Sequence, residues 1–117
     1  MKLLTQEILN RLPTLYAQDG KGLDAIAHVK FFTPDAQWTW YATEYDPQER
    51  IFFGYVQGIE DEFGYFSLDE LQEVRGVLGL PVERDLYFKP TPLRAIVEKN
   101  APVEVPQSIS MPVCNPL

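Results

Sequence analysis

Apolar residues first recur at helical spacing: Leu4, Ile8 and Leu12 share one face before Pro13 ends the run. Thr5 stands where an N-cap belongs, with Leu4 and Leu9 placed to form a hydrophobic staple across it. "AQDGKGLD" carries no apolar period and reads as a loop. The period then changes from helical to alternating. "AHVKFF", "WTWYATEY", "RIFFGYVQG" and "FGYFS" read as four strands, joined through the turn-type stretches "TPDAQ", "DPQE" and "IEDE". Connections this short suit antiparallel neighbours, because a parallel crossover needs about a dozen residues.

Helical spacing returns at Ser67. Ser67 and Glu70 form an S-L-D-E capping box, and Phe66 and Leu71 supply its staple. Leu68, Leu71, Val74 and Leu78 give this helix an apolar face, which Gly76 and Gly79 weaken and Pro81 closes. "VERDLYFKPTPL" reads as extended, since Pro90 and Pro92 bar a regular central strand or helix, and "LRAIVEKN" as one short last helix. The pattern predicts an α+β fold: an antiparallel sheet of about four strands with helices packed on one side, in a single domain over residues 1–100. Residues 101–117 are expected to form a Pro-rich extended C-terminal arm. Val103, Val105, Ile109, Met111 and Val113 fall on its odd positions and its prolines on even ones. That alternation predicts an arm lying along a sheet edge or over Trp38 and Trp40; exchange with a second copy, giving a homodimer, is the alternative.

Composition narrows the function classes. With 45% hydrophobic and 23% charged residues in 117, the chain is a folding domain rather than a disordered one. The lone Cys114 excludes an internal disulfide and a Cys-based zinc site, and His28 is the one base available to a Ser-His or Cys-His pair. An ordinary strand or surface histidine is the simpler account of it. Gln6, Glu7 and Asn10 interrupt the first apolar run, so it is no signal peptide, and no later run is long enough for a bilayer. A cytoplasmic location without membrane association is expected. The net charge of −7 disfavours direct nucleic-acid binding, which needs Lys and Arg against phosphates, and favours docking onto a basic protein. There is no Gly-rich phosphate loop, and no cofactor or metal is implied; Gly54, Gly58 and Gly64 read as bulge or close-packing positions in hairpin strands.

Three places carry candidate chemistry. Strand alternation puts Trp38, Trp40, Ala42 and Glu44 on one face, and Thr39, Tyr41, Thr43 and Tyr45 on the other. The tryptophans on their own read as core, both mostly buried. Glu44 beside them is either at a wet strand end, paired with Lys30 or Arg84, or at the rim of a partly open aromatic groove. "ERDLYFK" sets Glu83, Arg84 and Asp85 beside Tyr87; Arg84 is expected to pair with Glu44, Glu83 or Asp85 and pin the segment. A metal-dependent hydrolase would need Glu44, Glu83 and Asp85 to meet. The third place is acidic: Glu60, Asp61, Glu62, Asp69, Glu70 and Glu73, with no Lys or Arg among them. A turn and the start of a helix are natural homes for carboxylates. The alternative is a surface that imitates a phosphate backbone.

Four strings, "LLTQEILNRLP", "VKFFTPDAQWTWYATEYD", "FFGYVQGIEDEFGYFSLDEL" and "ERDLYFKPTPL", in this order resemble a bacterial family catalogued as a domain of unknown function (number twenty-nine fifty-eight). The resemblance spans Leu3 to Leu93. It implies a small bacterial protein of the kind often carried on plasmids and mobile elements, and it supplies no catalytic residues. Together these readings favour a cytosolic acidic accessory factor that binds another protein, in its narrower form a modulator of a nucleic-acid enzyme. The hydrolase built on Glu44, Glu83 and Asp85 is the alternative.

Overall fold

Thr5 Oγ1 accepts a hydrogen bond from the Ile8 amide (3.3 Å) and opens α1, Gln6–Arg11, which ends at Leu12 ahead of Pro13. A computed structural model describes residues 2–100. The C-terminal arm, and with it the expected cover over the tryptophans or exchange between copies, lies outside the described residues. After a loop and a short 3-10 turn come β1 (Ile26–Ala27), β2 (Val29–Phe32), β3 (Thr39–Asp46), β4 (Ile51–Gln57) and β5 (Asp61–Ser67). The described residues continue with α2 (Leu68–Glu73), β6 (Glu83–Arg84), β7 (Thr91–Pro92) and α3 (Leu93–Asn100).

The expected α+β class and antiparallel pairing are what the chain adopts. Five strands lie in the order β5-β4-β3-β2-β6, and β1 with β7 makes a separate two-stranded sheet. The segment read as merely extended supplies two of these strands: β6 pairs with β2, and β7 with β1. Each is two residues long, as edge strands beside prolines tend to be.

Both faces of the large sheet are apolar, so both need cover. Phe31, Trp40, Ala42, Tyr45, Phe52 and Phe66 pack on one face with Ile8 of α1 and Leu68 and Leu71 of α2. Tyr41 and Tyr55 on the other face pack with Ala27, and with Leu93 and Ile96 of α3. The sequence places all helices on one side; the structure divides them. The reason lies in β7, which pairs with β1 and brings the Leu93 amide to the Ala25 carbonyl (2.9 Å), so α3 starts on the Tyr41 face.

The capping box forms as read: Ser67 Oγ accepts from the Glu70 amide (2.9 Å) and Glu70 Oε1 from the Ser67 amide (3.3 Å). The helix, however, stops at Glu73, before the apolar period runs out. Gly76 donates forward to the Leu80 carbonyl (3.0 Å), and Gly79 adopts φ +82°, where a side chain would be strained. Leu78 therefore leaves the apolar face it was assigned to and points into solvent.

Candidate functional site

Thr33 closes the β2–β3 turn. Its amide donates to the Trp38 carbonyl (3.1 Å), and its Oγ1 accepts from the Trp38 amide (3.2 Å). Trp38 is thereby held at the end of the sheet, stacked on Trp40 with ring centroids 6.0 Å apart. Trp40 is 7% exposed, as expected of core, but Trp38 is 40% exposed. Its ring lies over Gly58, where a Cβ would stand 2.3 Å from it, just beyond the last ladder pair of Thr39 with Gln57. The expected burial of both tryptophans thus holds only for Trp40.

Trp38, Glu83, Arg84, Asp85 and Tyr87 line one groove of about 470 Å³, together with Lys30 and Phe32 of β2. The β2–β6 ladder explains this gathering, since it sets Glu83 across from Phe32 and Arg84 across from Phe31. Lys30 Nζ lies 3.7 Å from Asp85 Oδ2 and 5.8 Å from the centre of the Tyr41 ring. Arg84 Nη1 donates to the Lys2 carbonyl, which ties the N-terminal segment to this edge. Trp40 and Glu44 do not line this groove.

Glu44 sits elsewhere because β3 carries a bulge at Thr43: Ala42 pairs with Gly54, but Glu44 pairs with Phe53. The extra residue reverses the facing of everything after it. Tyr45 joins Trp40 and Phe52, while Glu44 turns to the side of Tyr41. The shared face assigned to Trp38, Trp40 and Glu44 by simple alternation is corrected accordingly. Gly54, opposite the bulge, has no room for a side chain; a Cβ would stand 1.9 Å from the Tyr41 carbonyl oxygen. Gly64 has open space around it and is not the close-packing position it was read as.

On its new side Glu44 is 4% exposed and meets neither Lys30 nor Arg84. Its Oε1 accepts from the Tyr16 amide and its Oε2 from the Gln18 amide, both at 2.8 Å. Gln18 completes the network: Nε2 donates to the Thr43 carbonyl (2.9 Å) and the Ile26 carbonyl (3.0 Å), and Oε1 accepts from the Ile26 amide (2.7 Å). A buried carboxylate is tolerable when donors satisfy it, and two amides do so here. The network clasps the loop before β1 to the bulge, with Tyr16 at φ 72°. Gln18 carried no signal in the sequence, because a glutamine in a polar loop is unexceptional.

The clasped loop forms one wall of a second groove, of about 430 Å³, with Tyr16 on the loop side and Phe53, Phe63 and Tyr65 on the sheet side. Phe53 packs edge-on to Tyr65 (5.0 Å) and stacks with Phe63 (6.1 Å). A hydrogen bond with Tyr16 is the main reason the Tyr65 hydroxyl ionises at higher pH than usual, with burial and nearby charges adding to it.

The sequence profile of a family described as Protein of unknown function (DUF2958) matches residues 3–101. The chain belongs to that family. The match begins at Leu3, a core residue, and runs past the end of α3, so it takes in both sheets and both grooves. No match was found among curated proteins or among solved structures.

The remaining candidates divide. Of the acidic residues, Asp69 pairs with Arg50 (Nη2–Oδ1 2.8 Å), Glu70 closes the capping box, and Glu73 borders a shallow hollow beside Trp40. Glu60, Asp61 and Glu62 stand exposed at the β4–β5 turn and the start of β5. Glu44, Glu83 and Asp85 are not brought together, and among the described residues no group of three His, Cys, Asp or Glu side chains is arranged to hold a metal. His28 has its pKa lowered by burial and then by the charge of Arg11, and among the described residues its buried Nδ1 has no hydrogen-bond partner. Among the described residues no helix is long and apolar enough to cross a membrane.

Proposed function

We propose that this protein is an acidic cytosolic accessory factor that works by holding another protein against one end of its large sheet. The ladder pairs Thr39 with Gln57 and Gln57 with Asp61, so the β2–β3 and β4–β5 turns share that end. The β3–β4 turn, with Asp46, Gln48, Glu49 and Arg50, lies at the opposite end and is polar.

The observation that carries the reading is the concentration of exposed apolar side chains around the β2–β3 turn. Trp38 covers Gly58, next to the fully exposed Ile59. Asp35 Oδ2 accepts from the amides of Leu78 (2.6 Å) and Leu80 (3.2 Å), and so fixes a loop that presents Val77 and Leu78 to solvent. Ala36 and Trp38 flank Leu86 and Tyr87, the latter 91% exposed. Large apolar residues shown to water in one region mark interaction surfaces, and aromatic anchors carry much of the energy at such interfaces. Asp35 reaches across from another element to fix the loop before any partner arrives, which lowers the ordering cost of binding. Gly76 belongs to the same device, since a Cβ there would stand 1.6 Å from Asp35 Oδ1.

Glu60, Asp61 and Glu62 rim this end, which favours a partner with Lys and Arg around an apolar centre. Nucleic-acid enzymes carry such surfaces, and modulation of one is the narrower form of the proposal. The test compares wild type with a Leu78→Asp, Tyr87→Ser double variant, each immobilised and exposed to host lysate, with circular dichroism confirming that both are folded. Wild type should retain at least one protein that the variant loses. Identical sets of retained proteins would remove the support for this surface.

A further inference from the structure

The two edges of the large sheet are not alike. At one, β6 is two residues long, follows Pro81 closely and leaves little to pair with. At the other, β5 runs seven residues, Asp61 to Ser67, in unbroken register with β4 from Gln57–Asp61 to Ile51–Ser67. Its sequence, DEFGYFS, has no proline, no lysine and no bulge, and beyond Asp61 and Glu62 it carries no charge to blunt the edge. Among the described residues nothing pairs with its outer side. The aromatic groove lies directly beside this edge, with Phe63 and Tyr65 of β5 itself forming its wall and Tyr65 58% exposed.

We infer that the outer edge of β5 takes up an extended basic segment of a partner protein as a sixth strand of the sheet. Main-chain groups of the segment pair with those β5 leaves open, and alternate side chains of the segment reach the groove beside Phe63 and Tyr65. Charge selects the occupant. Glu60, Asp61 and Glu62 stand at the start of the strand and Asp19 lines the groove, while no Lys or Arg lies within β5 or along the groove. A segment with Lys or Arg flanking apolar residues meets this edge favourably. A second copy brings the same carboxylates and another net charge of −7, so edge-to-edge pairing of two copies is opposed. The Glu44 clasp holds the groove wall in place beforehand, so the segment alone is ordered on binding. This surface is distinct from the apolar end around Leu78, and either can fail without the other.

The experiment uses the 15N-labelled full chain and three ten-residue probes: alternating Lys and Val, alternating Glu and Val, and the Lys/Val peptide N-methylated at its four central residues. The Lys/Val peptide should shift the amides of residues 61–67 and slow their hydrogen exchange. The Glu/Val peptide and the N-methylated peptide should each bind at least about tenfold more weakly, one for lack of charge complementarity and one for lack of edge hydrogen bonds. Binding of the N-methylated peptide as tight as its parent overturns strand pairing. Shifts confined to residues 77–87 overturn the inference while leaving the apolar end as a docking surface. No shifts with any peptide, protection in the free chain of the β5 amides that point away from β4, or a dimer by sedimentation that the Lys/Val peptide does not dissociate, each overturns it as well.

Discussion

Replacing Glu44 with alanine removes the carboxylate that accepts from the Tyr16 and Gln18 amides, at 2.8 Å each. A hydrogen bond to a charged group contributes about 1.5–3 kcal/mol, and a buried donor left without a partner costs a similar amount. The Gln18 bond is fully buried and carries the larger share, whereas the Tyr16 amide is partly buried and can recover water. Together they put the loss near 3–4 kcal/mol, a large part of the ~5–15 kcal/mol that holds a domain of this size. Glu44→Gln should cost about 2 kcal/mol, because its one carbonyl oxygen serves one amide while its NH2 faces the other. Urea unfolding gives the loss from the midpoint at unchanged slope. Hydrogen exchange locates it: the Tyr16 and Gln18 amides should speed up in Glu44→Ala while those of β2 keep pace with global stability. A loss below about 1 kcal/mol, or unchanged exchange at those two amides, would refute the clasp.

Trp40→Ala should cost about 3–5 kcal/mol as an emptied core site, and Trp38→Ala about 1–2 kcal/mol, since one side of its ring already faces water; equal losses in urea unfolding would make Trp38 a core residue after all. His28 has a folded pKa below its ordinary 6.5, so as pH falls the unfolded chain takes up the proton first. Its contribution to stability is complete above that ordinary value and is lost as pH drops through it toward the folded value. A His28→Asn variant should therefore lose less melting temperature than wild type between about pH 7.5 and about pH 5.5, and parallel losses would contradict the lowered pKa of this half-buried imidazole. Tyr16→Phe should lower the pH at which Tyr65 ionises, followed by ultraviolet difference titration, because the hydrogen bond with Tyr16 is the main cause of its upward shift; an unchanged titration curve would place the two hydroxyls apart.

The parts of the fold that rest on local patterns could be read directly. Thr5 and Ser67 cap helices where their spacing puts them, and the four strands β2 to β5 fall where alternation begins. What resisted reading depended on contacts distant in sequence. Asp35 holds the amides of Leu78 and Leu80, so the end of α2 is decided partly from another element, and no period within residues 67–81 reveals it. The candidates in "ERDLYFK" converge with Trp38 because β6 pairs with β2, a partnership that two residues between prolines do not announce. Glu44 was visible as an oddity, a carboxylate in an aromatic strand. Its partners were not, since they are main-chain amides and have no residue identity to be read.

The Thr43 bulge acts on β3 as a frameshift acts on a reading frame. Every residue before it is read on one phase and every residue after it on the other, although the letters themselves never change. Removing Thr43 would make the strand look more regular and still leave Glu44 opposite Phe53 and Tyr45 opposite Phe52. Keeping Thr43 and pairing it as an ordinary ladder residue would instead deliver Glu44 into the layer beneath α2 and swing Tyr45 out into the place the carboxylate had filled. The chain's tolerance to changes of length is therefore a matter of position. The bulge can lose one residue with its ladder intact. The turn at 47–50, where Arg50 adopts φ 58° and its amide donates to the Asp46 carbonyl (2.8 Å), sets the register of the β3–β4 hairpin and tolerates a change of length less well.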